Sequence, residues 1–321
     1  MQAFKTPILF LVFNRPETTK RVFEVIRTVK PQKFYIAADG PRLDKDGEKE
    51  KCDAVRKIAT QVDWDCELIT LFRDKNLGCG KAVSEAITWF FENVEEGLIL
   101  EDDCLPNESF FYYCSEILIK YRDNEKIMHI GANNFQKGIK RGDADYYFST
   151  IPHIWGWASW RRAWVKYEYD MKEYKTEKFA EVLKKVYRNK SLIKFWINIF
   201  NSISNHEIDT WDYQWHFTLL RFQGIAISPN KNLVTNIGFE SCATHTKEEN
   251  PLMSNLPSYE LNNIKHPQKI QIYTKADLFT YKHIYGIVKP KNFVNKLYIP
   301  NKIHRLKKIL AKFSCTIFKR V

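Results

Sequence analysis

Four short apolar runs dominate the first hundred residues: "TPILFLVF", "KFYIAA", "CELITLF" and "GLIL". Continuous runs of this length, with no alternation of polar residues, are those of strands buried on both faces, as in parallel sheets. Between them lie helical patterns. Pro16 opens one in which Val22, Phe23, Ile26 and Val29 recur at helical spacing, and another runs through Ala82 to Phe91. The charged stretch Leu43 to Gln61 reads as a further, exposed helix. Strand–helix alternation with short links predicts an α/β fold built on a doubly wound, mostly parallel sheet. Such sheets bind ligands outside the carboxyl ends of their strands. The polar punctuation "NRPE", "DGPR", "RDKNLG" and "EDD" falls at those ends.

At 321 residues, 44% hydrophobic and 15% aromatic, the chain has material for a large core, which excludes global disorder. Its seven cysteines form no C-x-x-C pair and their odd number fits no disulfide framework, so reduced thiols in a cytoplasmic protein are expected. The opening "MQAFKTPILFLVFNRPE" reads as a first strand and not as a signal peptide. No apolar stretch approaches the roughly 18 residues of a membrane-spanning helix. Of the net charge of +12, ten Lys/Arg fall between Val288 and Val321 with no acid among them, leaving about +2 for the first 287 residues. That distribution argues against a nucleic-acid-binding body and for a basic tail, 288–321, with its own task. In it Ile303, Leu306, Ile309, Leu310, Phe313, Ile317 and Phe318 form one stripe of a helix. Two readings stand: a helix docked on the protein, or one lying on an anionic membrane surface.

The run "GLIL" ends in Glu101, Asp102 and Asp103. Such acids can cap the next helix or hold a hard divalent cation. On these residues alone the two uses stand level. "NLGCGKAV" sets Gly78 and Gly80 just before a helix, where bare backbone N–H groups meet an anion or simply form a tight turn. Arg73 and Lys75 add positive charge, and Asp39 and Asn14 sit at the first two strand ends. Together these features converge on a nucleoside diphosphate. The second half is rich in aromatics. "HIWGWASWRRAW" holds Trp155, Trp157, Trp160 and Trp164, which read as core or, with Gly156, Arg161 and Arg162, as a wall for a sugar and its diphosphate. A helix follows from Glu177 to about Phe200, then "DTWDYQW", the strand "GIAISP" and a loop-rich segment. Asp209 and Asp212, three residues apart, are expected on one helical face. Flanking Trp211 and Trp215 would give Asp212 the apolar surroundings that raise a carboxyl pKa, as a general base requires.

The ordered motifs "TPILFLVFNRPETTKRVFEVIR", "AADGPR", "RDKNLGCGKAV", "ILEDDCLP", "WGWASWRRAW", "DTWDYQW" and "ATHT" resemble those of bacterial GT-A-fold nucleotide-diphospho-sugar transferases, the glycosyltransferase family 2-like or haemolysin-related group. The resemblance spans Pro7 to Thr246 and is more distant to the eukaryotic N-acetylglucosaminyltransferase I group. It implies an inverting, metal-dependent glycosyltransferase with a UDP-sugar donor and a glycan or lipid-linked acceptor, serving cell-envelope polysaccharide synthesis. The domain would cover 1–287, with a nucleotide-binding half (1–105) and an aromatic-rich acceptor half (106–250). Donor contacts would come from Phe13, Asn14, Arg15, Asp39, Arg73, Asn76, Gly78, Glu101, Asp102, Trp157 and Arg161. Asp103 would hold Mn²⁺ or Mg²⁺, with His245 of "THT" as a further ligand. Asp212 would be the base and Asp209 its rival, since "WDY" stands where the eukaryotic group has two acids after the Trp. The cytoplasmic enzyme would sit on the inner face of the cell membrane through its basic tail. A sugar nucleotidyltransferase and a non-catalytic carbohydrate-binding protein are the alternatives. Against the former, "FNRPETT" stands where such an enzyme has a long Gly-rich loop with a Lys.

Overall fold

The computed structural model describes residues 4–171, 174, 176–238 and 256–287. His245 and the basic tail lie outside them. The four apolar runs form β1 (Ile8–Val12), β2 (Lys33–Ala38), β3 (Glu67–Phe72) and β4 (Glu96–Glu101), joined by α1 (Pro16–Val29), α2 (Glu48–Ala59) and α3 (Cys79–Asn93). After β5 (Cys104–Pro106) come α4 (Glu108–Lys120), β6 (Ile127–Gly131), β7 (Tyr146–Ser149), β8 (Trp157–Trp160) and the short α5 (Arg161–Trp164). The chain continues through α6 (Thr176–Val186), α7 (Lys190–Ser204), α8 (Asp212–Phe222), β9 (Ile225–Pro229), β10 (Val234–Asn236) and α9 (Thr274–His283).

One mixed sheet of eight strands, in the order β3-β2-β1-β4-β8-β6-β9-β7, runs through the fold, and β10 pairs with β5 in a second, small sheet. The half built from β3, β2, β1 and β4 is wholly parallel. Its central strands β1 and β4 are buried almost throughout, as continuous apolar runs require. Strand β8 then runs antiparallel to both β4 and β6, and β7 closes the far edge antiparallel to β9. Because β6 is parallel to β9, most pairings are still parallel. The reversal at β8 decides where the residues flanking it go.

Two helices differ from expectation. The stretch Leu43 to Gln61 is helical only over Glu48–Ala59, because Gly47, at φ 70°, turns the chain into the helix and leaves 40–47 as a loop. The single helix over Glu177 to Phe200 is two, α6 and α7. Asn189 restarts the second one, its side chain accepting from the backbone N–H of Ser191 (2.9 Å) and Leu192 (3.3 Å). Among the described residues no helix is long and apolar enough to cross a membrane. Cys52, Cys66, Cys79, Cys104 and Cys114 are free thiols.

Candidate active site

The carboxyl ends of β1, β2, β3 and β4 share one edge of the sheet, since all four strands are parallel. Leu11 of β1 pairs with Glu101 of β4, which sets the segment after β1 beside the acids after β4. All three acids are buried. The backbone N–H of Phe13 donates to Asp102 Oδ2 (3.2 Å). Arg15 Nη1 donates to Asp103 Oδ2 at 2.7 Å and stands 3.6 Å from Asp102 Oδ1. Asp102 Oδ1 itself is buried with no hydrogen-bond donor among the described residues. Burial lifts the Asp102 carboxyl above its ordinary range; Arg15 pulls it down and Asp103 pushes it up. Two adjacent buried carboxylates so share one guanidinium. The segment leaving β10 closes over Asp103: Ile237 N–H donates to its backbone oxygen (2.8 Å), and a Cβ on Gly238 would lie 2.4 Å from Asp103 Oδ2. Only glycine fits there.

The glycine loop meets anions, but they are the chain's own. Asp39, at the end of β2, accepts from the N–H groups of Gly40 (2.9 Å), Leu77 (3.0 Å) and Gly78 (3.1 Å). Burial pushes its carboxyl up to about 6, against the pull of those N–H groups and of Arg73. Asn76 ties the same loop down by donating to Gly40 O (2.8 Å). From the other side Asp209 Oδ1 accepts from Gly80 N–H (2.8 Å), at the first turn of α3. A Cβ on Gly80 would lie 2.6 Å from that same oxygen, so the carboxylate sits where a side chain would otherwise be. Asp209 thus caps α3, at the positive end of its dipole.

Asp212 is the first residue of α8, so Asp209 lies ahead of the helix and the two do not share a helical face. The chain passes through the N-cap Trp211, with φ −123° and ψ −25°, and the spacing rule applies only inside a helix. Asp212 is buried; its Oδ1 accepts from Thr210 Oγ1 and from the N–H of Tyr213 (3.0 Å).

Two expected donor contacts stand elsewhere. Trp157 is fully buried, stacked between His129 (5.1 Å) and Trp211 (5.7 Å), so protein rings cover its faces and it offers none to a sugar. Arg161 follows β8, whose antiparallel course delivers it to the opposite edge of the sheet. There it donates to Phe91 O and Glu92 O and pairs with Glu95 (2.6 Å), at the carboxyl end of α3. The helix α3 puts about 20 Å between that end and Gly80, at its other end. Arg73 stays near the edge, bonded to Glu85 (3.3 Å).

One residue went unread in the sequence. Glu48, nearly fully buried at the start of α2, accepts from Asn14 Nδ2 (2.9 Å), from Arg42 N–H (2.7 Å) and from the Arg42 guanidinium (2.5 Å on Oε1). It fixes the segments after β1 and β2 against each other. Its only signal was an acid just after Gly47, which any helix start displays.

Whether a divalent cation suits this edge turns on the two buried carboxylates. Among the described residues no three His, Cys, Asp or Glu side chains gather as a ligand set. Mg²⁺ and Mn²⁺ sites that also use substrate phosphates need only one or two carboxylates. Asp102, with an orphan buried oxygen, and Asp103 supply those, so the residues fit such a cation.

No protein-family model matches the chain, and no curated protein matches it in sequence. Similar solved structures include mannosyltransferase PcManGT from Pyrobaculum calidifontis in complex with GDP-Man and Mn²⁺ (10% identity, TM-score 0.37, covering 68% of this chain and 70% of that one). Others are S. aureus TarS 1–349 (9%, TM-score 0.37, 74% of this chain and 62% of that one) and UDP-glucose pyrophosphorylase complexed with UDP-glucose (10%, TM-score 0.36, 72% and 93%). These similarities are remote, and residue roles rest on the geometry.

Proposed function

We propose that the chain is a glycosyltransferase that moves a sugar from a nucleotide-sugar donor, a UDP-sugar in the first instance, to an acceptor hydroxyl with inversion. The observation that carries this reading is the placement of two kinds of acid at the same edge of the sheet. Asp102 and Asp103 are buried behind a single arginine, and Asp212 is oriented by Thr210 at the head of α8. In this reading the acceptor oxygen bonds to the anomeric carbon as the carbon–oxygen bond to the diphosphate breaks. The acceptor proton passes to Asp212, and the nucleoside diphosphate leaves as the anion. Asp102 and Asp103 would hold Mn²⁺ or Mg²⁺, which when bound supplies Lewis-acid stabilisation of the departing diphosphate. Arg15 adds fixed positive charge on the same side. Asp39 and Asp209 act as struts of the glycine loop, while Asn14, held by Glu48, faces the nucleoside. The acceptor is lipid-linked or glycan, and the basic tail would hold the protein on an anionic membrane surface.

The test is release of nucleoside diphosphate from UDP- and GDP-sugars with Mn²⁺ and with chelator. Metal-dependent release, lost in Asp212→Asn by a factor on the order of 10²–10⁴ with donor binding kept, is the expected result. Pyrophosphate exchange in its place would make the protein a nucleotidyltransferase, and the absence of both activities would overturn the enzymatic reading. Truncation after Pro300 is expected to release the protein from anionic vesicles while sparing turnover; retention on the vesicles would refute the tail's role.

A further inference from the structure

A narrow cavity of about 30 Å³ opens beside Asp212, lined by Asn133, Trp155, Tyr213, His216 and Tyr285 among others. Its walls are nearly closed: Trp155 keeps 5% exposure, Asp212 and Tyr285 6% each. Three buried polar atoms on these walls have no hydrogen-bond partner among the described residues, namely Asn133 Oδ1, Tyr213 Oη and His216 Nε2. Buried polar groups are almost always paired, so three orphans around one cavity ask for an explanation. Each is fixed in place by its surroundings. Asn133 donates through Nδ2 to Val234 O (3.3 Å), which turns its oxygen away. The Tyr213 ring packs on Trp196 at 6.0 Å and the His216 ring at 4.4 Å. His216 is held neutral by burial.

We propose that this cavity is a hydroxyl subsite for a neutral sugar, with Tyr213, His216 and Asn133 as its hydrogen-bonding wall. The chemistry selects the ligand class. The walls present an O–H donor, an oxygen acceptor and a neutral ring nitrogen, the set that a hydroxyl satisfies because it donates and accepts at once. Among the described residues no Lys or Arg lines the cavity and Asp212 does, so an anion is disfavoured. The volume admits one hydroxyl or hydroxymethyl group, not a ring. The ring would stay in the mouth against Trp155, Phe135 and Tyr285, an aromatic lining with few polar groups, as small-molecule sites have. Asn133 follows β6, and Val234, which it contacts, lies in β10, whose Asn236 pairs with Cys104 next to Asp103. The subsite so belongs to the same edge as the carboxylates. It rests on the reading of Asp212 as the base that meets an acceptor hydroxyl.

The test uses saturation-transfer NMR of the full chain with glucose, galactose, mannose and N-acetylglucosamine at millimolar concentration. Tyr213→Phe removes one orphan hydroxyl and leaves the ring in place. At least one sugar is expected to bind the wild type, and Tyr213→Phe to bind it about tenfold more weakly with an unchanged or higher melting temperature. The inference is overturned if none of the four sugars binds, or if Tyr213→Phe binds as well as the wild type; a lowered melting temperature with unchanged binding would mean a structural water. Nucleoside diphosphate release, measured on the same preparations, reports separately. Release without a sugar effect sinks the subsite alone, and a sugar effect without release keeps the subsite and sinks the transferase.

Discussion

Asp39 and Asp209 grip the glycine loop from opposite sides, one through Leu77 and Gly78 and the other through Gly80. Asp209→Asn keeps an oxygen for Gly80 N–H and loses only the charge at the helix end. It should cost about 0.5–1 kcal/mol in urea unfolding with turnover largely retained. Asp212→Asn should show the reverse, full stability with turnover lost, and the opposite ranking would move the base to Asp209. Asp39 brings a pH dependence of definite sign. Its folded pKa, about 6, lies above the ordinary value of 3.8, so between the two the folded state holds a proton that the unfolded chain has released. Stability from this group is full below about pH 4 and lost as pH rises through 6. Asp39→Asn should remove that decline, and an unchanged Tm profile between pH 4 and 6 would contradict it. The strand-end acids and Asn14 were legible because each closes an apolar run. Their partners were not: no local pattern announces that Asp209 will reach a loop 129 residues away, and Glu48 looks like any acid in a first helical turn.

Among the elements, β8 separates what the sequence could tell from what it could not. The first four strands alternate with helices, and that alternation implies parallel neighbours. Strand β8 is four residues long and buried throughout, so its sequence carries no sign of direction. Its antiparallel course sends Arg161 to the carboxyl end of α3 and packs Trp157 into the core. Trp157 and Trp164 of the tryptophan cluster therefore resolve as structure, packed on each other and on Trp211 and Trp215. Arg161→Ala should lower stability by about 1–2 kcal/mol, because it strips a charged donor from the last carbonyls of α3. Nucleotide binding should be untouched. A loss of donor affinity at unchanged stability would return Arg161 to the site.

Across the whole molecule, the edge that gathers the acids is backed by histidines kept neutral. His129 is the best defined: Trp215 Nε1 donates to its Nδ1 (3.2 Å), so the proton sits on Nε2, which donates to His153 O (3.0 Å). Burial lowers its pKa to about 3, and it lowers those of His153 to about 4 and His216 to about 3. For a base with a depressed folded pKa the sign is opposite to that of Asp39. The unfolded chain takes up a proton below about 6.5 and the folded one refuses it, so stability present above 6.5 drains away as pH falls toward 3. Asp277, buried under Ser149 and Thr150 and raised to about 6, acts like Asp39 and offsets part of this loss. Asp102, also lifted by burial, acts the same way, so three such carboxyls oppose the histidines between about pH 4 and 6, and below about pH 4 the acid lability comes from the three histidines alone. His129→Gln removes one of the three. Urea midpoints between about pH 4.5 and 6.5 should then give a slope of stability against pH smaller by one proton, about 1.4 kcal/mol per pH unit. The variant will be less stable at neutral pH, since it disturbs the Trp215 bond, but the two profiles should converge toward acid. Parallel profiles would show that His129 is protonated in the fold, and the neutral interior behind the site would lose its physical basis.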